Sequence, residues 1–284
     1  MNKISDGMRA RLALEKNGFR FQHTLGQNFL LNDNLVESIV DCAQVGEEDD
    51  VLEIGPGAGL MTVIMSRRVK SVTALEIDRA LEPVLGEMLD DADNARVIFA
   101  DAMKTDLNAL MPGRFAVVAN LPYYITADMV TRLLTSGLDI SSITIMVQKE
   151  AAERMTACVG DSQYCLLAAT IAYYAQCEIV MEVPPSAFTP MPHVDSALLR
   201  IVPHAEKPVR AEDEKLFMKV LTAAFAMRRK TLANNLSRAF SAPRDTVTAW
   251  LQNAGIDEKA RGEAVELSSL ARLADEIWRS RAVM

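Results

Sequence analysis

Short β-branched runs alternate with amphipathic segments from Val51 to Val202. The runs predict strands at Val51–Ile54, Val72–Glu76, Val97–Ala100, Ala116–Ala119 and Ile143–Val147. Between them, Leu60–Arg68, Ala80–Leu89, Ala127–Thr135 and Gln163–Tyr174 carry the spacing of helices with one apolar face. Strand and helix in alternation predict a parallel, doubly wound sheet. Two further strands, Cys177–Val183 and Ala197–Val202, are joined only by a Pro-rich loop, which predicts an antiparallel pair at one edge. After Pro203–Pro208, which reads as a linker, the pattern becomes helical: Asp213–Met227, Lys230–Phe240, Arg244–Asn253 and Leu270–Arg279. The expectation is an α/β domain with a mostly parallel seven-stranded sheet over residues 1–204, then a small all-helical domain over 209–284.

Composition narrows the class. Half of the 284 residues are hydrophobic and about a quarter charged, the balance of a globular protein with room for a sizeable core. No apolar run approaches a membrane span, and Met1–Arg20 mixes Lys3, Arg9, Arg11 and Lys16 with Asp6 and Glu15, unlike a secretory signal. The four cysteines and three histidines are scattered, with no C-x-x-C pair. That argues against a metal site or a disulfide framework and points to a reducing cytoplasm. The net charge of −8 opposes a polyanionic partner, but base is concentrated in the first twenty residues and around Arg228, Arg229, Lys230 and Arg238. The triplet Arg228-Arg229-Lys230, with no acid between Phe217 and Phe240, is expected to open a helix and contact RNA phosphate.

The first strand runs into a glycine turn, Glu53-Ile54-Gly55-Pro56-Gly57-Ala58-Gly59. Glycine serves where backbone turns sharply and a ligand approaches closely. The spacing is G-x-G-x-G, not the G-x-G-x-x-G of dinucleotide binders, and Pro56 removes an N–H that a pyrophosphate would use. Glu76 ends the second strand, where a carboxylate can accept from both ribose hydroxyls, and Asp101 follows the third, within reach of an adenine amino group. Gly55, Gly57, Glu76 and Asp101 therefore suit a nucleoside without phosphates, S-adenosylmethionine.

The fourth strand ends in Asn120-Leu121-Pro122-Tyr123-Tyr124. An adenine N6 is a poor nucleophile because its lone pair is delocalised into the ring. The Asn120 side-chain carbonyl and the Leu121 backbone carbonyl can accept its two hydrogens. Pro122 fixes the backbone, and Tyr123 can stack on the base for in-line attack on a methyl sulfonium. Further on, Phe188 in Phe188-Thr189-Pro190-Met191-Pro192-His193-Val194-Asp195-Ser196 is expected to close the other face of an extruded base.

Together these residues resemble the ribosomal RNA adenine N6-dimethyltransferase family, and within it the branch that modifies two adjacent adenines near the 3′ end of small-subunit rRNA. The resemblance also takes in Gly26-Gln27-Asn28-Phe29-Leu30 and Phe225-Ala226-Met227-Arg228-Arg229-Lys230-Thr231-Leu232. It implies a Rossmann-like S-adenosylmethionine-dependent methyltransferase fold, no metal, and a monomer acting in the cytoplasm on the immature small subunit. It adds Asn28 and Leu30 to the cofactor pocket, places Gln27 and Phe29 beside the methyl group or the base, and gives Asn120 a cofactor contact besides its catalytic role. The sequence departs from the family at His193, often Lys, and Ala233, often Arg, both expected near the RNA surface. Three other readings compete. A large-subunit rRNA adenine methyltransferase conferring antibiotic resistance fits less well with the Arg228–Leu232 segment. An RNA-binding assembly factor with secondary catalysis does not need so intact a glycine turn and Asn120 motif. An NAD-dependent dehydrogenase needs an acid–base residue at the crevice, and none is apparent.

Overall fold

The computed structural model describes residues 4–282; Lys3 of the basic N-terminal stretch lies outside them. The chain divides into two compact units, one made of residues up to 152 with 177–203, the other of 153–176 with 204 onward. One crossing between units falls between Pro203 and His204, beside the boundary expected after 204. The segment 153–176, expected in the first domain, belongs to the second, because Tyr164, Ala168, Ala169 and Tyr173 are buried in one core with Phe217, Leu221 and Leu236.

In the first unit the strands are β1 (Phe29–Leu30), β2 (Asp50–Ile54), β3 (Ser71–Glu76), β4 (Ala95–Phe99), β5 (Phe115–Asn120), β6 (Ile140–Gln148), β7 (Ala175–Val183, entering from the second unit), β8 (Phe188–Thr189) and β9 (Ser196–Pro203). Seven form one sheet in the order β4-β3-β2-β5-β6-β9-β7. From β4 to β6 every pairing is parallel, and β9 runs antiparallel to β6. The edge therefore differs from expectation in one respect: β9 sits inside β7, between it and β6. The central strands are apolar on both faces, as a sheet covered on both sides requires: Val51, Leu52, Val117 and Val118 are all buried.

The helices of this unit are α1 (Asp6–Lys16), α2 (Asp33–Ala43), α3 (Leu60–Ser66), α4 (Glu82–Met88), α5 (Leu107–Leu110), α6 (Thr126–Thr135) and the start of α7 (Lys149–Met155). Their starts follow local chemistry. Asn32 caps α2, its side chain accepting from the Leu35 N–H, and Asp33 is left to accept from Gly7 N–H with both oxygens at 3.2 Å. A two-stranded ribbon, β1 with β8, pairs Phe29 with Thr189 and Leu30 with Phe188. The sequence pattern does not predict it, since two residues carry no periodicity.

The second unit holds α8 (Leu166–Tyr174), α9 (Glu214–Ala224), α10 (Leu232–Phe240), α11 (Arg244–Asn253) and α12 (Leu267–Ala282). The α9–α10 connection is longer than expected. Residues 225–231 form turns, and the Thr231 side chain caps α10 by accepting from Asn234 N–H. Arg228, Arg229 and Lys230 therefore stand in that connection, ahead of the cap, not in the helix. Among the described residues no helix is long and apolar enough to cross a membrane.

Candidate active site

Parallel register decides where the functional residues meet. Ile54 pairs with Leu75 and Ala119, and Glu76 with Phe99, so the carboxyl ends of β2, β3, β4 and β5 lie level. Strand order reverses between β2 and β5, which opens a crevice at those ends. One cavity occupies it, and Asn28, Gly55, Gly57, Glu76, Asp101, Asn120, Leu121, Pro122 and Tyr123 all line it. Nine residues expected at the site from distant parts of the sequence are thus brought together.

The floor is the glycine turn. Gly57 has φ +55°, and a Cβ there would come within 3.0 Å of the Phe29 ring, so both conformation and contact demand glycine. Glu76 is 5% exposed and ties the turn down, with one oxygen accepting from Gly57 N–H at 3.2 Å and the other from Asp78 N–H at 2.8 Å. Burial pushes its carboxyl above the usual range, against the pull of those backbone donors. A carboxylate has about four acceptor sites, so two backbone bonds leave capacity for a diol.

Asp101 sits in the next turn, one oxygen accepting from Met103 N–H at 2.9 Å and the other 3.1 Å from the Lys104 ammonium. These two donors, the backbone one first, hold its carboxyl below the usual range. Arg132 of α6 spans the same turn, donating to the carbonyl of Ala102 at 2.6 Å and to that of Thr105.

Asn120 donates from Nδ2 to the Asn28 carbonyl at 2.8 Å. With the amide nitrogen so engaged, the carbonyl oxygen is the end left to receive a donor. Tyr123 lines the cavity half-buried, its hydroxyl 3.3 Å from that of Ser196, which opens β9. The Pro122 carbonyl accepts from Ile125 N–H at 3.2 Å, which turns the chain into α6.

Three expected residues behave differently. Phe188 is 4% exposed and packs with Leu30, Val36 and Ile39; β8 holds it in the core, so it offers no open face to a base and does not line the cavity. Leu30, its partner in the ribbon, is likewise a core residue and not a cavity wall. Gln27 lines the cavity, but its side chain donates to Asp78 at 2.7 Å and accepts from Gln22 N–H at 2.7 Å, so it anchors the strap between α1 and β1. Sequence reasoning also missed Ile77 and Tyr124, which line the cavity at 53% and 60% exposure. A large apolar residue directly after a strand-end acid is the signal that marks Ile77.

The wall chemistry selects the ligand. Two carboxylates line the cavity, and among the described residues no Lys, Arg or His does. A pyrophosphate would meet only like charge, whereas a sulfonium is cationic and its nucleoside carries the hydroxyls and amino group that Glu76 and Asp101 can accept from. The residues present fit S-adenosylmethionine. Among the described residues no group of three or more His, Cys, Asp or Glu could hold a metal ion.

Fold and cavity define a Rossmann-like methyltransferase dependent on S-adenosylmethionine. Over residues 18–278 the chain matches the family model described as Ribosomal RNA adenine dimethylase. It is 40% identical over 278 residues to a Ribosomal RNA small subunit methyltransferase A of Geobacillus thermodenitrificans, covering 95% of each chain. A protein of the same name from Clostridium perfringens is 41% identical over 279 residues, covering 98% of this chain and 97% of the relative. Among solved structures, a dimethyladenosine transferase from Plasmodium falciparum superposes with a TM-score of 0.73 at 25% identity, covering 89% of this chain and 98% of that one. The 23S rRNA methyltransferase ErmE gives 0.68 at 29% identity, covering 88% and 99%. The chain belongs to the ribosomal RNA adenine dimethylase family.

In the second unit, Arg228, Arg229 and Lys230 are all exposed, and Arg228 donates to the Ser162 carbonyl. Ala233 is 3% exposed and belongs to that unit's core, so alanine there takes no charge from a surface; His193 is exposed.

Proposed function

We propose that this protein dimethylates N6 of two adjacent adenosines near the 3′ end of small-subunit rRNA, acting in small-subunit biogenesis. The observation that carries the chemistry is the Asn120 side chain, tethered through its nitrogen to Asn28 so that its oxygen serves as acceptor at the cavity. S-adenosylmethionine supplies the methyl group as a sulfonium. Glu76 and Asp101 hold the nucleoside of the donor. The Asn120 oxygen and the Leu121 carbonyl accept from the target amino group, which restores electron density to N6. Acceptors placed in advance stabilise the positive charge that develops on nitrogen, and the N6 proton leaves to solvent afterwards, so no strong base is needed. Tyr123, fixed through Ser196, gives the base a stacking face.

The substrate assignment is supported by identity of 40–41% over nearly the full length to relatives named for the small subunit. The second unit, with Arg228, Arg229 and Lys230 exposed on one connection, serves in this reading as the RNA-binding domain. In this reading the protein works as a monomer on the immature subunit in the cytoplasm. The test is labelled methyl transfer into small subunits that lack the modification, followed by nucleotide mapping. Two methyls on each of two adjacent adenosines are expected. Label confined to large-subunit rRNA, or label absent from adenine N6, contradicts the reading.

A further inference from the structure

Tyr124 is the anomaly of the cavity. It follows Tyr123 in sequence, yet it is 60% exposed while Tyr123 is half-buried and bonded to Ser196. A tyrosine stabilises a fold by burying its ring, and this one leaves most of it in water. No hydrogen bond or ring contact holds Tyr124 among the described residues. It nevertheless borders the cavity, so it stands at the rim. Its ring edge rests over Gly26, which has φ +62°; a Cβ there would come within 3.7 Å of the ring and 3.3 Å of the Pro122 Cβ. That spacing to the ring is ordinary van der Waals contact, so Gly26 lies beside the ring without enclosing it, and most of Tyr124 stays exposed. Phe188, the other aromatic expected to stack, is shut in the core.

We propose that Tyr124 is a stacking platform for an RNA base at the cavity mouth, the nucleotide next to the one whose N6 enters toward Asn120. This rests on the proposed rRNA adenine substrate. An adenosine drawn into the cavity leaves its neighbour without one stacking partner, and an open aromatic face at the rim replaces it. Among the described residues no Lys, Arg or His lines the cavity beside Tyr124 to pair with a phosphate, so the ligand it fits is the flat face of a nucleobase. Tyr123 and Tyr124 then divide the work: the first meets the base undergoing transfer, the second holds its neighbour in register.

The test compares Tyr124→Ala, Tyr124→Leu and Tyr124→Phe with the wild-type chain in two assays. In methyl transfer, Ala and Leu should lower kcat/KM for RNA by roughly 5- to 150-fold, the range a stacked base is worth. Phe should stay within about two-fold of wild type, since it keeps the aromatic face. S-adenosylmethionine affinity by calorimetry and thermal midpoint should not move in any variant. In the second assay, a single-stranded oligoribonucleotide carries 2-aminopurine beside the target adenosine. Wild type and Phe should quench its fluorescence and Ala and Leu should not. Wild-type kcat/KM in Tyr124→Ala overturns the proposal, as does rescue by Leu or a loss traced to cofactor affinity. If wild type quenches through Tyr124 but methylates no adenosine, the stacking role stands and the substrate reading falls.

Discussion

The side-chain nitrogen of Asn120 donates to the main-chain carbonyl of Asn28 at 2.8 Å, across 92 positions of sequence. One bond thereby engages the nitrogen of that amide, leaves its oxygen as the end open to a donor, and ties the strap before β1 to the end of β5. The Asn28 side chain in turn donates to the Gly26 carbonyl at 3.2 Å, a bond within the strap.

Asn120→Ala is expected to lower single-turnover methyl transfer by about 10²-fold or more, the usual loss when a preorganised partner of the transition state is removed. Asn120→Asp should fare no better. A carboxylate has no N–H for the Asn28 carbonyl and would set oxygen against oxygen. Both variants should keep the wild-type thermal midpoint within a few degrees. Full activity in either one removes Asn120 from the mechanism.

Glu76→Ala should weaken S-adenosylmethionine binding by about 1.5–3 kcal/mol, as for a hydrogen bond to a charged group. Because Glu76 also holds Gly57 N–H and Asp78 N–H, Glu76→Gln is the cleaner comparison: it keeps one acceptor oxygen and should lose less. Asp101→Ala should weaken binding of the donor while leaving affinity for the adenine-free methionine portion unchanged. Calorimetry giving wild-type affinity for all three dissolves the pocket assignment.

Much of this site is legible in sequence because each part has a mechanism of its own. A glycine turn after a strand, acids at the next two strand ends and Asn-Leu-Pro-Tyr after the fourth are local signals, and parallel order brings local signals to one end of the sheet. What is not legible depends on distant pairing. Phe188 looks like a free aromatic until β8 pairs with β1 and turns it into the core. Gln27 looks free to meet the methyl group until Asp78 claims it. The segment 153–176 has an ordinary helical pattern that does not say which core it joins; Tyr164 and Tyr173 settle that by packing with residues far along the chain.

Glu53 carries a pH signature. It lies wholly buried in β2 just before the glycine turn, one oxygen accepting from Thr62 at 2.6 Å and the other without a partner. Burial raises its carboxyl from the ordinary 4.5 to about 8, with the Thr62 hydroxyl opposing and nearby Glu76 adding to the rise. The folded chain therefore keeps a proton that the unfolded chain releases above pH 4.5. Stability from this group is full below 4.5 and declines as pH rises toward about 8. Glu53→Gln has no proton to lose, so its advantage over wild type in urea unfolding should grow from about pH 5 to about pH 8, by a few kcal/mol on the order set by the shift. A constant difference between the two proteins across that range would mean that Glu53 titrates normally.

The connection between α9 and α10 carries Arg228, Arg229 and Lys230. Lying ahead of the Thr231 cap, its three cations are spared most of the N-terminal dipole penalty they would meet inside the first turn, and all three side chains are exposed. Arg228 is partly engaged with the Ser162 carbonyl, which steadies the loop but leaves other guanidinium donors free. Arg229 and Lys230 are exposed with no described partner, so they should carry more of the phosphate binding than Arg228. Removing one cation that pairs with a phosphate should flatten the dependence of RNA affinity on salt by roughly 0.7–0.9 in the log–log slope. Arg229→Ala with Lys230→Ala should thus reduce the slope by about 1.4–1.8 if both cations touch phosphate, and Arg228→Ala by less than the amount for one full pairing. Cofactor affinity should not change in either protein, since the cavity is lined entirely by residues of the first unit. A wild-type slope in the double variant would make this connection a solvated surface. The search for the RNA-binding surface would then move to the basic residues Arg9, Arg11 and Lys16 of α1.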